Sequence, residues 1–237
     1  MPGKSKQQTI NIDPQEMIQA GVHFGHKTSR IHPKMQPYLI GVRGGVHIID
    51  TEKTKEKLAE VLEFVEGLIA ENKTLVLVGT KVQMGNLVEK IAKECGLPYV
   101  KERWLGGTFT NFETISKRIA YYKDLEAKKA AGELEKYTKK ERANFDKEIK
   151  QLEIKFGGIK DLAKLPEAVF VCDMIKDELA VSEAKAKGVK VIAICDTNTD
   201  PTLVDYPIPA NDDAVTSIKY ILEKVREAIL KAKKLIK

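Results

Sequence analysis

A chain of 237 residues, 43% of them apolar, is long enough for one large core or two modest ones and too apolar for wholesale disorder. Lys and Arg outnumber Asp and Glu by 40 to 34, a net charge of +6 that suits a polyanionic partner without requiring one. The longest stretch free of Asp, Glu, Lys and Arg, residues 17–26, falls far short of the roughly 20 apolar residues of a membrane helix, so no membrane partner is expected.

Residues 1–9 carry Lys4 and Lys6 with no apolar core behind them, and read as a flexible basic tail rather than a signal peptide. Residues 21–45 interleave His23, His26, Lys27, Arg30, His32, Lys34 and Arg43 with Phe24, Tyr38, prolines and glycines. This predicts an irregular, rigid loop with Phe24, Met35 and Tyr38 plugged into the core and the cations facing outward, where a folded RNA backbone would meet them. Short apolar runs at residues 46–49, 75–78, 98–100, 168–172 and 189–194 predict strands. Helical patterns alternate with them, which is the rhythm of an α/β body with a mostly parallel sheet.

The first long helix should bury Leu58, Val61, Leu62, Val65, Leu68 and Ile69 and be capped near Asn72. The next should bury Val82, Leu87, Val88, Ile91 and Cys95 and stop at Gly96. Another, over about residues 176–187, ends before Gly188. The last should start at Asn211-Asp212-Asp213, follow a stripe from Val215 through Ile218, Ile221, Leu222, Val225 and Ile229 to Leu235, and end in lysines that suit its negative pole.

Residues 109–160 break the rhythm. Thr110 to Glu113 reads as a capping box, Phe112, Ile115, Ile119 and Tyr122 form one helical stripe, and Phe145, Ile149, Leu152 and Phe156 form another. With Ala131-Gly132-Glu133 as the tip, the segment is expected to be an antiparallel helical hairpin inserted into the α/β body, which then comprises residues 10–108 and 161–237. From Ile115 to Lys160 there are 13 basic and 8 acidic residues, so most of the net charge sits on this arm. At its root, Trp104 is expected to anchor packing and Gly106-Gly107 to make a sharp turn.

A parallel sheet invites a nucleotide-enzyme reading, but only one glycine follows residues 75–78 and no phosphate-binding loop or nucleophile elbow is present. Three strands should end in Asp50, Asp173 and Asp196, and three anions at the carboxyl edge of one sheet would repel a phosphate. Helix capping explains them better than acid/base roles for His23, Asp173 and Asp196 do. His23, His26, Asp196, Asp205, Asp212 and Asp213 are the right residue types for a divalent ion, but their spacing is not diagnostic. No metal or cofactor is therefore assigned. The cysteines Cys95, Cys172 and Cys195 lack metal-knuckle spacing, which predicts buried, reduced thiols in a cytoplasmic protein.

Six stretches resemble a known family: AGVHFGH (residues 20–26), HPKMQPYLIGVRGGVHIID (32–50), LVGTK (77–81), LPYVKERWLGGTFTNF (97–112), FGGIKDLAKLPEAVFVCD (156–173) and DTNTDPTLVDYPIPANDDA (196–214). In this order they are similar to the number-two family of bacterial small-subunit ribosomal proteins. Met174 and Ile175 stand where that family usually has proline and a basic residue, and Thr199 where a cysteine is frequent. The resemblance implies a non-enzymatic, Rossmann-like body with a coiled-coil hairpin. It also implies binding to 16S rRNA between the head and body of the small subunit, in the cytoplasm, and docking of that subunit's large first protein, with no small-molecule substrate. Contacts to rRNA are then expected from Lys27, Arg30, Lys34, Arg43 and Arg103 on the body and from Lys117, Arg118, Lys139, Lys140 and Arg142 on the arm.

Overall fold

Alternating apolar strands and amphipathic helices build an α/β protein in the computed structural model, which describes residues 10–236. The basic tail expected at residues 1–9 lies outside the described residues. The strands form a three-stranded sheet of order β1-β3-β2 and a mostly parallel five-stranded sheet of order β5-β4-β6-β7-β8, flanked by helices. Over the described residues the chain divides into two compact units, residues 10–72, 195–201 and 206–236 in one and residues 73–194 and 202–205 in the other.

In the first unit, α1 (Pro14–Gln19) begins at Asp13, whose carboxylate accepts from the Gln15 N–H at 2.8 Å. β1 (Phe24–Lys27), β2 (Leu39–Arg43) and β3 (Val46–Ile49) pair antiparallel. Two expectations are corrected here. Residues 21–45 are not an irregular loop, because they hold two strands and a 3-10 turn over Pro33–Tyr38. Residues 46–49 are not a strand of the parallel sheet either, since they form the centre of the small antiparallel one. The cause is local: Arg43 pairs with Val46 across Gly44 (φ +60°) and Gly45 (φ +76°). A two-residue hairpin turn with positive φ at both positions is nearly reserved for glycine.

The Asp50 carboxylate accepts from the Glu52 N–H at 3.0 Å and starts α2 (Thr51–Ala70). Asn72 follows α2 with φ +55°. The buried stripe of α2, Leu58, Val61, Leu62, Val65, Leu68 and Ile69, packs on α7 (Val215–Ile236) and on β8 (Tyr206–Pro209). Ile218, Ile221, Leu222, Val225 and Ile229 of α7 are fully buried, whereas Val215 and Leu235 of the expected stripe are exposed. Asn211 precedes α7 by an Asx turn, its side chain accepting from the Asp213 and Ala214 N–H groups.

In the second unit, β4 (Leu75–Val78), β5 (Tyr99–Val100), β6 (Ala168–Val171) and β7 (Lys190–Cys195) pair in parallel. Every residue of β4 and β6 is buried, as continuous apolar runs covered on both faces require. α3 (Gly85–Cys95) ends at Gly96 in the left-handed region. Val82 is 95% exposed because it lies before the first turn of α3, so its place in that helix's core is corrected. α6 (Glu178–Ala186) precedes Gly188, whose φ is +70°.

α4 (Phe112–Ala130) and α5 (Lys139–Phe156) pack on each other, burying Ile115, Ile119, Tyr122 and Leu125 of one and Ile149 and Phe156 of the other. Gly132, at φ +73°, lies between them. The capping box expected at Thr110 does not form: α4 begins after Asn111, and the Thr110 N–H is spent on Glu183. A capping box does form at the start of α5, between Thr138 and Glu141.

Candidate nucleic-acid interface

Lys27, Arg30, Lys34 and Arg43 of the first unit are all exposed. Lys27 ends β1 and Arg43 ends β2, next to the Gly44-Gly45 turn, while Arg30 follows the turn after β1. Lys34 lies in the 3-10 turn above Met35, which is completely buried, and pairs with Asp200 at 2.8 Å. Among the described residues Lys27, Arg30 and Arg43 form no ion pair, so their charge is available to a partner. Phe24 is 46% exposed and tilts against the His23 ring at 4.0 Å, which corrects its expected role as a core plug. Burial, reinforced by Arg43, lowers the His23 pKa.

Three of the ligand-type residues come together in this unit: one atom each from His26, Asp196 and Asp212 lie within 4.8 Å of one another. His26 Nδ1 is 3.1 Å from Asp196 Oδ1, and its Nε2 faces Asp213 at 3.4 Å. The Asp196 contact raises the imidazole pKa against the lowering effect of burial. This trio has the donor chemistry of a divalent-ion site. His23 lies outside it, and Asp205 belongs to the other unit, where it accepts from Lys190 and the Val191 N–H at 2.6 and 2.9 Å. Asp196 is also an internal anchor, accepting the Thr197 and Asp212 N–H groups.

In the second unit the carboxylates at the end of the parallel sheet, where doubly wound enzymes bind ligands, are engaged in the chain's own contacts. Lys81 pairs with Asp173 at 2.7 Å, and the Asp173 carboxylate accepts the Ile175 and Lys176 N–H groups at 2.8 Å. Asp177 accepts the Thr80 hydroxyl at 2.8 Å and the Thr80 N–H at 3.3 Å. Burial pushes the Asp177 carboxyl up to about 6 despite those donors. The expected convergence of Asp50, Asp173 and Asp196 on one sheet edge is therefore corrected: Asp50 follows a strand of the other sheet, and each carboxylate serves backbone donors near it.

The root of the arm is set by a residue with no signature in the local sequence. Glu183, buried on α6, accepts backbone N–H groups from Gly107 at 2.7 Å, Phe109 at 2.9 Å and Thr110 at 3.2 Å. Burial alone would raise its pKa, but these donors hold it below the usual carboxylate value. Trp104 is 5% exposed and meets Phe109 edge-on at 4.8 Å. Gly107 takes φ +91°, whereas Gly106 keeps an ordinary φ. Arg103, just before this loop, is exposed and forms no ion pair among the described residues.

On the arm itself, Lys117 pairs with Glu113 at 2.7 Å, while Arg118, Lys139, Lys140 and Arg142 are exposed with no carboxylate within pairing distance among the described residues. Residues 17–232 match the family described as ribosomal protein S2. The chain is 47% identical over 220 residues to the small ribosomal subunit protein uS2 of Dictyoglomus thermophilum, covering 93% of this chain and 89% of that one. It is 46% identical to the protein of that name from Coprothermobacter proteolyticus (92% and 81% covered) and 43% identical to that from Nitratiruptor sp. (94% and 84%). With an α/β fold and matches of this extent, the chain belongs to the ribosomal protein S2 family.

Proposed function

We propose that this protein, a structural ribosomal component rather than an enzyme, binds 16S rRNA between the head and body of the small subunit through exposed cations. The observation that carries this reading is that Lys27, Arg30, Arg43, Arg103, Lys139, Lys140 and Arg142 are exposed and form no ion pair with a carboxylate among the described residues. A solvated surface tends to pair its charges with one another. Cations left without partners fit a phosphate backbone, which positions a protein on RNA without reading its sequence. Small subunits stripped of this chain should take it back at physiological ionic strength, with backbone protection on the 16S rRNA. Failure to rebind, or rebinding that leaves the rRNA unprotected, would contradict the reading.

Docking of the large first small-subunit protein is the second part of the proposal. The support is β2, an edge strand whose outer residues Ile40 and Val42 are 68% and 54% exposed. An exposed apolar edge strand offers both backbone pairing and side-chain burial to a partner segment.

A further inference from the structure

The arm carries cations on both helices, but its two outer faces differ in what those cations already hold. On α4 the apolar stripe runs through Ile115, Ile119, Tyr122 and Leu125. Counting at helical spacing, the opposite face presents Glu113, Lys117, Ala120, Asp124, Ala127 and Lys128. Its two lysines are balanced by its two acids, Lys117 with Glu113 at 2.7 Å and Lys128 with Asp124 at 2.6 Å. That face sums to zero charge.

α5 is built the other way. Its apolar stripe is Phe145, Ile149, Leu152 and Phe156, and the opposite face, at spacings of three, four, three and four, is Lys140, Ala143, Lys147, Lys150 and Ile154. No acid lies on that face. Among the described residues none of its lysines has a carboxylate within pairing distance. Three of the four acids of α5 make their hydrogen bonds elsewhere: Glu141 in the capping box, Asp146 with Lys129 of α4 at 2.6 Å, and Glu148 with the Tyr121 hydroxyl of α4 at 3.1 Å; of these, Asp146 also feels the charge of Lys150 at longer range. Lys140 and Lys150 stand about 15 Å apart along the helix axis at 1.5 Å per residue, so the stripe tracks a strand rather than a point.

We infer that the arm meets RNA through the outer face of α5, with Lys140, Lys147 and Lys150 as its phosphate contacts, and that the outer face of α4 carries none, which replaces the expectation of a contact at Lys117. This deepens the RNA-binding reading above and rests on it. The partner is a phosphate backbone, because the stripe offers charge at regular intervals and no acceptor or aromatic ring with which to read bases. An acidic protein surface would compete for the same lysines, and the assay distinguishes the two.

The experiment measures the affinity of the full chain for 16S rRNA against salt. Three proteins are compared with the wild type: Lys140→Gln/Lys147→Gln/Lys150→Gln, Lys117→Gln/Lys128→Gln, and the charge-keeping Lys140→Arg/Lys147→Arg/Lys150→Arg. Removing three phosphate contacts should flatten the slope of log K on log salt by about 2 to 3. The α4 double variant and the arginine variant should keep the wild-type slope, and the arginine variant separates lost charge from a damaged helix. A glutamine triple variant with an unchanged slope, or an α4 variant that loses as much, overturns the assignment to α5. A wild-type protein with no salt dependence sinks the RNA reading itself, a different and recognisable outcome.

Discussion

The Glu183 carboxylate accepts the backbone N–H of Phe109 at 2.9 Å, across 74 positions of sequence, and so fixes the loop from which the arm departs. Gly107 and Thr110 donate to the same carboxylate, so one side chain satisfies three buried or half-buried backbone donors. Charge-assisted bonds of this kind are each stronger than neutral ones. Glu183→Gln replaces an all-acceptor group with one that brings its own donors, and should destabilise the protein by about 1.5–3 kcal/mol. Amide exchange at Gly107, Phe109 and Thr110 should accelerate more than in the β4–β6 core. Because the folded pKa of Glu183 lies below its ordinary 4.5, its contribution is complete above that pH and is lost as the pH falls through the folded value. Urea titrations of wild type and variant should therefore converge in acid.

Asp177 behaves with the opposite sign. Its folded carboxyl is raised from 3.8 to about 6, so the folded state binds the extra proton and stability rises as the pH falls from 7 towards 4. Asp177→Asn keeps an acceptor for the Thr80 hydroxyl and removes the buried charge, while giving up the longer bond from the Thr80 N–H, which reduces the gain. The variant should be more stable than wild type at pH 7, by at most roughly 3 kcal/mol, and should lose this segment of the pH dependence. Denaturation midpoints between pH 4 and pH 7 test both statements.

Gly158 sits where a β-carbon would run into the Tyr99 carbonyl and ring. Backbone cannot yield as a flexible side chain does, so Gly158→Ala should cost about 1–3 kcal/mol, read as a lower thermal midpoint. Gly132, with nothing near its absent β-carbon but a φ of +73°, should lose less on the same change.

Ile40→Asp with Val42→Asp places two charges on residues already in water, so stability should move by less than about 0.5 kcal/mol. If β2 receives the large first protein, reconstituted subunits carrying this variant should bind rRNA normally and fail to capture that partner. Normal capture would remove β2 from the docking proposal.

Much of the architecture is legible in apolar spacing. The stripes of α2, α4, α5 and α7 sit at helical intervals, and the continuous runs of β4 and β6 read directly as strands. Three kinds of information are not local. Glu183 looks like any solvent-facing glutamate, and its partners are 73 to 76 positions away. Thr110 to Glu113 and Thr138 to Glu141 have the same capping pattern, but the Thr110 N–H goes to Glu183 and only the second box forms. β8 hides behind Pro207 and Pro209, residues that normally argue against a strand. The Gly44-Gly45 pair, by contrast, was a readable hairpin signal between β2 and β3. Among the cations, residue type marks the candidates, but only ion-pair geometry separates Lys117, already neutralised, from Lys140, which is not.

The most direct test of the account is the salt dependence of the intact protein's affinity for 16S rRNA. With about six phosphate contacts, log K should fall linearly with log salt at a slope of roughly −4 to −5. A slope near zero would mean that the exposed lysines and arginines face water rather than phosphate, and would contradict the account at its base.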